Sequence, residues 1–91
     1  MARVNWTDEA VANLETIVAY IAAFNPQAAT RLAEKLIALA DSLDHFPERG
    51  RAAGAGFREL PVVRPYVLRY RVEDDLIYIA RIRHGPQASD D

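Results

Sequence analysis

Two histidines, His45 and His84, are the residues whose type could do acid–base chemistry or hold a metal. His84 ends a strand-like run, where a base or a ligand could sit. A lone histidine with no His, Cys or carboxylate at ligand spacing is seldom a metal site, and His45 has no evident partner either. Its simpler role is a local hydrogen bond that closes a strand. The chain has no cysteine, which removes disulfides, thiolate zinc sites and thiol nucleophiles. It has no P-loop, dinucleotide fingerprint or nucleophile elbow, so no cofactor and no metal are expected.

The arginines are the larger signal. Ten of the eleven basic residues are arginine. Residues 1–45 carry three basic against six acidic side chains, whereas residues 46–84 carry eight arginines against five acidic side chains. A guanidinium fork binds carboxylate or phosphate in a planar, bidentate way that a lysine ammonium does not. The blander account is a solvated basic face. From Arg58 to His84 the arginines alternate with apolar and aromatic residues, so they cannot share the buried face of a strand.

The elements that must position these groups follow from spacing. Ninety-one residues make one domain, with a modest core. Val4 and Trp6 flank Asn5 in a short extended segment suited to a sheet edge. Thr7 is an N-cap, followed by Asp8 and Glu9 at the positive end of a helix dipole. Apolar residues then fall at Ala10, Val11, Leu14, Ile17, Val18 and Ile21, one helical stripe. Asn25 caps a second helix with Pro26 at its first position. Its stripe runs through Ala29, Leu32, Ala33, Leu36, Ile37, Ala40 and Leu43, Pro47 stops it, and Phe46 is expected to fold back onto the core. The short connection makes the two helices an antiparallel αα-hairpin. Glu48 to Gly56 reads as a basic loop. Strands are expected over 57–62, with Pro61 at an edge or bulge, over 65–72 and over 76–84. Residues 85–91 read as a frayed tail. The N-terminus lacks the apolar core of a signal peptide and no run is long enough to span a bilayer, so a cytoplasmic protein is expected.

The hairpin register decides where the arginines point. A two-residue loop, Asp74 and Asp75, sets Ile77, Ile79, Arg81 and Arg83 on the face of Tyr66, Leu68, Tyr70 and Val72, and drives two arginines toward the core. A three-residue loop beginning at Glu73 pairs Val72 with Leu76 and gathers Leu76, Tyr78, Ala80 and Ile82 on that face. Burial of one face selects the second register. The other face then holds Val67, Arg69, Arg71, Ile77, Ile79, Arg81 and Arg83, a partner-binding surface in character. The alternative is a two-sided strand, partly covered by the N-terminal segment.

Taken in order, these segments resemble the ParE/RelE superfamily of small bacterial toxins, its ParE branch most of all. The resemblance rests on the opening strand with WTDEA, on LETIVAYI in the first helix and on NPQAA opening the second. It continues through SLDHFPERGR, FRELPV and PYVLRYRVEDDLIYIARIRHG. No one motif decides it; the ordered combination does, including Pro47, Gly50 and Arg51, and Arg81, Arg83, His84 and Gly85. The resemblance implies an α+β fold, β-α-α-β-β-β, with an N-terminal short strand and an αα-hairpin packed on a twisted antiparallel sheet.

It also implies the toxin of a type II toxin–antitoxin pair, of the kind that stabilises plasmids or acts under stress. Toxins of the ParE branch act on DNA gyrase and are silenced by a ParD-like antitoxin. Toxins of the RelE branch cleave mRNA on the ribosome with lysines, arginines and a C-terminal tyrosine; a subgroup resembling YoeB uses Glu, Arg and a terminal His-Tyr. This chain has no lysine after Lys35 and no tyrosine after Tyr78, and Gly follows His84. The expectation is therefore a non-enzymatic gyrase inhibitor that binds no nucleic acid by itself. Arg69, Arg71, Ile77, Ile79, Arg81 and Arg83 would bind acidic and apolar antitoxin side chains, and Arg58, Arg81 and Arg83 are the first candidates to touch the target. The alternative is a ribosome-dependent mRNA endonuclease, in which Arg81, His84 and Glu48, or Glu59 in its place, would supply the base for the ribose 2′-OH, the cation for the phosphorane charge and the acid for the leaving 5′-oxygen.

Overall fold

Two side-chain caps start the helices where the sequence places them. The computed structural model describes residues 3–84; the expected tail at 85–91 lies outside them. In it Thr7 Oγ1 accepts from the Ala10 N–H at 3.1 Å and opens α1 (Asp8–Ala22), and Asn25 Oδ1 accepts from the Ala28 N–H at 3.1 Å and opens α2 (Pro26–Ser42). Each cap satisfies one of the backbone donors that a helix start leaves without a partner. Ala29, Leu32, Leu36 and Ala40 of α2 are buried as its spacing foretold, whereas Ile37 of that expected stripe and Val11 of the α1 stripe stand at the margin of the packed face and are 44% and 39% exposed. None of the described helices is long and apolar enough to cross a membrane.

The helices cover one face of a five-stranded sheet in the order β1-β5-β4-β3-β2. Its strands are β1 (Arg3–Trp6), β2 (Arg51–Ala52), β3 (Phe57–Pro61), β4 (Tyr66–Glu73) and β5 (Leu76–His84). The sheet is mixed rather than all antiparallel, because β1 joins β5 in parallel, Val4 beside Ile77 and Trp6 beside Ile79. The stretch read as loop also contributes a strand, β2, which pairs Arg51 with Glu59.

Phe46 departs from expectation. After Ser42 the chain tightens into i to i+3 hydrogen bonds at Leu43, Asp44 and His45. Leu43 takes the last core slot, and Phe46, carried off the helical stripe, is 62% exposed.

The β4–β5 hairpin takes the two-residue turn, not the three-residue loop that burial was expected to select. Asp74 and Asp75 form the turn, with Asp74 at φ 53, and Glu73 pairs with Leu76, Val72 with Ile77 and Tyr70 with Ile79. A bulge then inserts Ala80, after which Arg69 pairs with Arg81 and Leu68 with Ile82. One extra residue flips the phase of everything beyond it. Ile77, Ile79 and Ile82 thus all enter the core at 0%, 0% and 4% exposure, while Arg81 and Arg83 turn outward. The expected pairing of Val72 with Leu76 is not formed; the bulge, rather than a three-residue loop, keeps Arg81 and Arg83 out of the core.

Helix α1 secures that bulge. The Thr7 hydroxyl lies 3.0 Å from both the Ile79 and the Ala80 carbonyl oxygens, and the Ile82 N–H donates to Asn13 Oδ1 at 3.0 Å. Thr7 is therefore both helix cap and bulge clamp. Thr7→Ala is expected to lower stability by about 1–2 kcal/mol, and Thr7→Ser by much less, in urea unfolding of the purified chain.

Candidate functional site

The face of the sheet away from the helices carries the arginines. Glu59 and Phe57 come from β3, Val67, Arg69 and Arg71 from β4, and Arg81 and Arg83 from β5. Their phase follows from Leu60, Leu68 and Ile82, which take the opposite, core-facing phase. Glu59 stands directly beside Arg69 across the β3–β4 pair, and Arg83 leans over β4 to reach the same carboxylate.

Three charge-assisted hydrogen bonds meet at Glu59, which is only 6% exposed. Arg69 Nη1 donates to Oε2 at 2.9 Å, Arg83 Nε to Oε2 at 3.0 Å and Arg83 Nη2 to Oε1 at 2.7 Å. The Arg83 fork is bidentate, the geometry in which such pairs are strongest. Arg83 Nη1 also donates to the His84 carbonyl at 2.8 Å. The Arg83 hydrogen bond holds the Glu59 carboxyl below its ordinary range, against the upward push of burial and with help from Arg69. Arg83 is in turn raised by Glu59.

A pH dependence follows from this arrangement. Because folding lowers the Glu59 pKa, the stability it contributes is present above the unfolded carboxylate value and is lost as pH falls through the lower, folded one. Acid unfolding of Glu59→Gln is expected to be shallower than that of the wild type below about pH 4.5, read by circular dichroism against pH.

The other arginines are also engaged. The Arg69 and Arg71 guanidiniums lie 4.4 Å and 5.2 Å from the Phe57 ring centroid, within cation–π range. Arg71 Nε meets Glu73 Oε2 at 2.8 Å, and Arg81 Nε stands 3.7 Å from Glu9 Oε2. These two exposed pairs contribute little to stability. Arg58 lies in the core-facing phase and donates from Nη1 to the Gly50 carbonyl at 2.7 Å. It therefore serves the loop before β2 rather than the outer face.

Two expected site residues are not on this face. Ile77 and Ile79 are fully buried against the helices, because the bulge lies beyond them. Half-buried Leu76 and Tyr78, their neighbours in sequence, take the outward phase beside Arg71. The outer face therefore has an apolar strip, made of different residues.

Nor does the fold gather Glu48, Arg81 and His84. Arg81 and His84 are an odd number of residues apart with no bulge between them, so they leave opposite faces of β5. His84 stacks on Tyr66, with ring centroids 5.1 Å apart at 21°. Glu48 is exposed on the loop leading into β2, the strand at the opposite side of β4 and β3 from β5. His45 is exposed, 3.8 Å from Asp44. Among the described residues no group of three or more His, Cys, Asp or Glu could hold a metal ion.

Sequence reasoning undervalued Glu59 and Phe57. Their signal was the alternation in FRELP, which puts both on one face, but only the pairing with β4 shows that this is the arginine face.

The comparisons agree with this architecture. The model of the ParE toxin of the type II toxin–antitoxin system parDE matches residues 4–88. Toxin RelE2 of Caulobacter vibrioides is 56% identical over 85 residues, covering 93% of this chain and 97% of that protein. Toxin RelE1 of the same organism is 36% identical over 72 residues, covering 76% of this chain and 77% of that one. A solved chain of the chromosomal ParDE TA system from P. aeruginosa superposes with a TM-score of 0.82 at 26% identity, covering 93% of this chain and 97% of that chain. The strand, two helices and arginine-bearing sheet described here are thus those of a toxin, and the chain belongs to the ParE toxin family of type II toxin–antitoxin systems.

Proposed function

We propose that this toxin acts in the cytoplasm on a protein target, DNA gyrase, and is silenced by a ParD-like antitoxin that engages the outer face of its sheet. One observation carries the reading: the outer-face arginines are already engaged by the chain's own groups, while Glu48, Arg81 and His84 stand apart. A phosphodiester-cleaving site needs cations and acid–base groups converging on one point. A protein-binding face needs instead ordered side chains and an apolar strip, and Arg69, Arg71, Arg81 and Arg83 lie on the same face as Leu76 and Tyr78, with Arg71 beside Tyr78. Arg81 and Arg83 stay the candidates for target contact, with Arg58 turned to the loop. The ribosome-dependent mRNA endonuclease keeps some support from the names of the Caulobacter relatives.

Two assays on the purified toxin separate these readings. Gyrase supercoiling should be inhibited, and restored by the antitoxin, while primer extension on ribosome-bound mRNA should show no new cut. Active gyrase together with mRNA cleavage that vanishes in His84→Ala or Arg81→Ala would reverse the assignment.

A further inference from the structure

Two guanidiniums from different strands, Arg69 of β4 and Arg83 of β5, are aimed at one point on the outer face. That point is occupied by the carboxylate of Glu59. We propose that Arg69 and Arg83 form a phosphate site that Glu59 fills and thereby closes, which makes Glu59 the residue that bars phosphate from this face.

The electrostatics require an anion at that point. Two converging cations repel each other, and desolvation strengthens the repulsion. The Glu59 carboxylate is nearly excluded from water at 7% side-chain exposure, whereas Arg69 and Arg83 keep 27% and 34%. The carboxylate is thus the inner wall, and the guanidiniums are reachable from outside. Neutralising Glu59 would leave a pair of charge +2 whose donors are already held in a converging geometry. Arg69 rests on the Phe57 ring and Arg83 is tied to the His84 carbonyl, so part of that geometry does not depend on Glu59.

The site favours phosphate over a second carboxylate. Both Glu59 oxygens together receive three N–H donors, and the triad keeps a net charge of +1. A phosphate dianion would cancel the pair fully and offers more acceptor oxygens. This inference deepens the protein-target reading, since a closed phosphate site keeps RNA backbone off a basic face. Its test uses no gyrase and no ribosome, so its failure and the failure of that reading are separate results.

The test compares wild type, Glu59→Gln, the double variant Glu59→Gln/Arg83→Ala, and Asp75→Asn, which makes the same charge change at the hairpin tip. Inorganic phosphate is titrated at constant ionic strength and read by thermal shift, with acetate in parallel. A short single-stranded RNA is followed by anisotropy. Glu59→Gln should bind phosphate at least about tenfold more tightly than wild type or Asp75→Asn, the worth of one charge-assisted bond. Removing Arg83 should abolish the gain. Should Glu59→Gln be unfolded in chloride, phosphate is expected to refold it by mass action, seen by circular dichroism.

Gain with inorganic phosphate but not RNA assigns the site to the free ion. Gain with both assigns it to a nucleic-acid backbone. A folded Glu59→Gln that binds phosphate no better than Asp75→Asn overturns the proposal, as does acetate matching phosphate, or an unfolded Glu59→Gln that phosphate does not rescue.

Discussion

Replacing Ile79 by alanine is expected to destabilise the free chain by about 3 kcal/mol, the middle of the range for truncating a buried isoleucine. For a domain of this size that lowers the melting temperature by roughly 15 °C. Ile79 has no exposed surface, and it packs among Ala10, Leu36, Leu68 and Tyr70 in the cluster between sheet and helices. The loss has two parts, the transfer free energy of the missing atoms and the cavity left because the surrounding strands and helix relax only in part. The substitution also tests the bulge. Without it Ile79 would share the face of Arg81, exposed, where truncation costs within about 0.5 kcal/mol. Tyr78→Ala, on the outward phase, should leave the melting temperature much nearer the wild type than Ile79→Ala does. Equal melting curves for Ile79→Ala and wild type would refute the observed register.

Tyr70→Phe is expected to cost about 2–3 kcal/mol, although it removes a single oxygen. The Tyr70 ring is fully buried, and its hydroxyl reaches out of the core to the loop before β2. There it donates to the Pro47 carbonyl at 2.8 Å and accepts from the Gly50 N–H at 2.8 Å. Phenylalanine would keep the packing and strand two backbone groups, one of them on a buried glycine, without partners. Burial pushes the Tyr70 hydroxyl above its ordinary pKa, with the Gly50 N–H pulling the other way, so it holds its proton for the bond to Pro47. The same contact explains Gly50: a Cβ there would lie 2.8 Å from the Glu59 carbonyl and 2.8 Å from the Tyr70 ring. Denaturant unfolding would measure the cost. Faster proteolysis at 47–50 in Tyr70→Phe would show that the loop is what comes loose.

Local signals were legible wherever the physics is local. Thr7, Asn25 and Pro26 mark helix starts because a side-chain oxygen, or an absent N–H, suits a helix terminus whatever packs against it. Most of the α2 stripe was readable because period and burial coincide at Ala29, Leu32, Leu36 and Ala40, with Ile37 left at the exposed margin. Phe46 misled because the apolar period continued past Ser42 while the backbone did not. The short strand β2 was hidden in a Gly- and Arg-rich stretch, since two residues become a strand only by having β3 as a neighbour.

The site divides along the same line. Alternation in β4 by itself determined that Arg69 and Arg71 would leave the face of Leu68, Tyr70 and Val72, because successive strand side chains must; in β5 the same alternation groups Ile77 and Ile79 with Arg81 and Arg83. The ordered segments determined the family in the same way. It took the tertiary structure to decide which residues fell on which face: a bulge costs one residue and inverts the phase, and nothing in LIYIARIRH marks Ala80 as the extra one. The groups that hold it, Thr7 and Asn13, lie some seventy residues away. Glu59 was equally unreadable, because a carboxylate in a strand looks solvated until two arginines from other strands converge on it. Register between strands is set by what they pack against, and that information is not in any one of them.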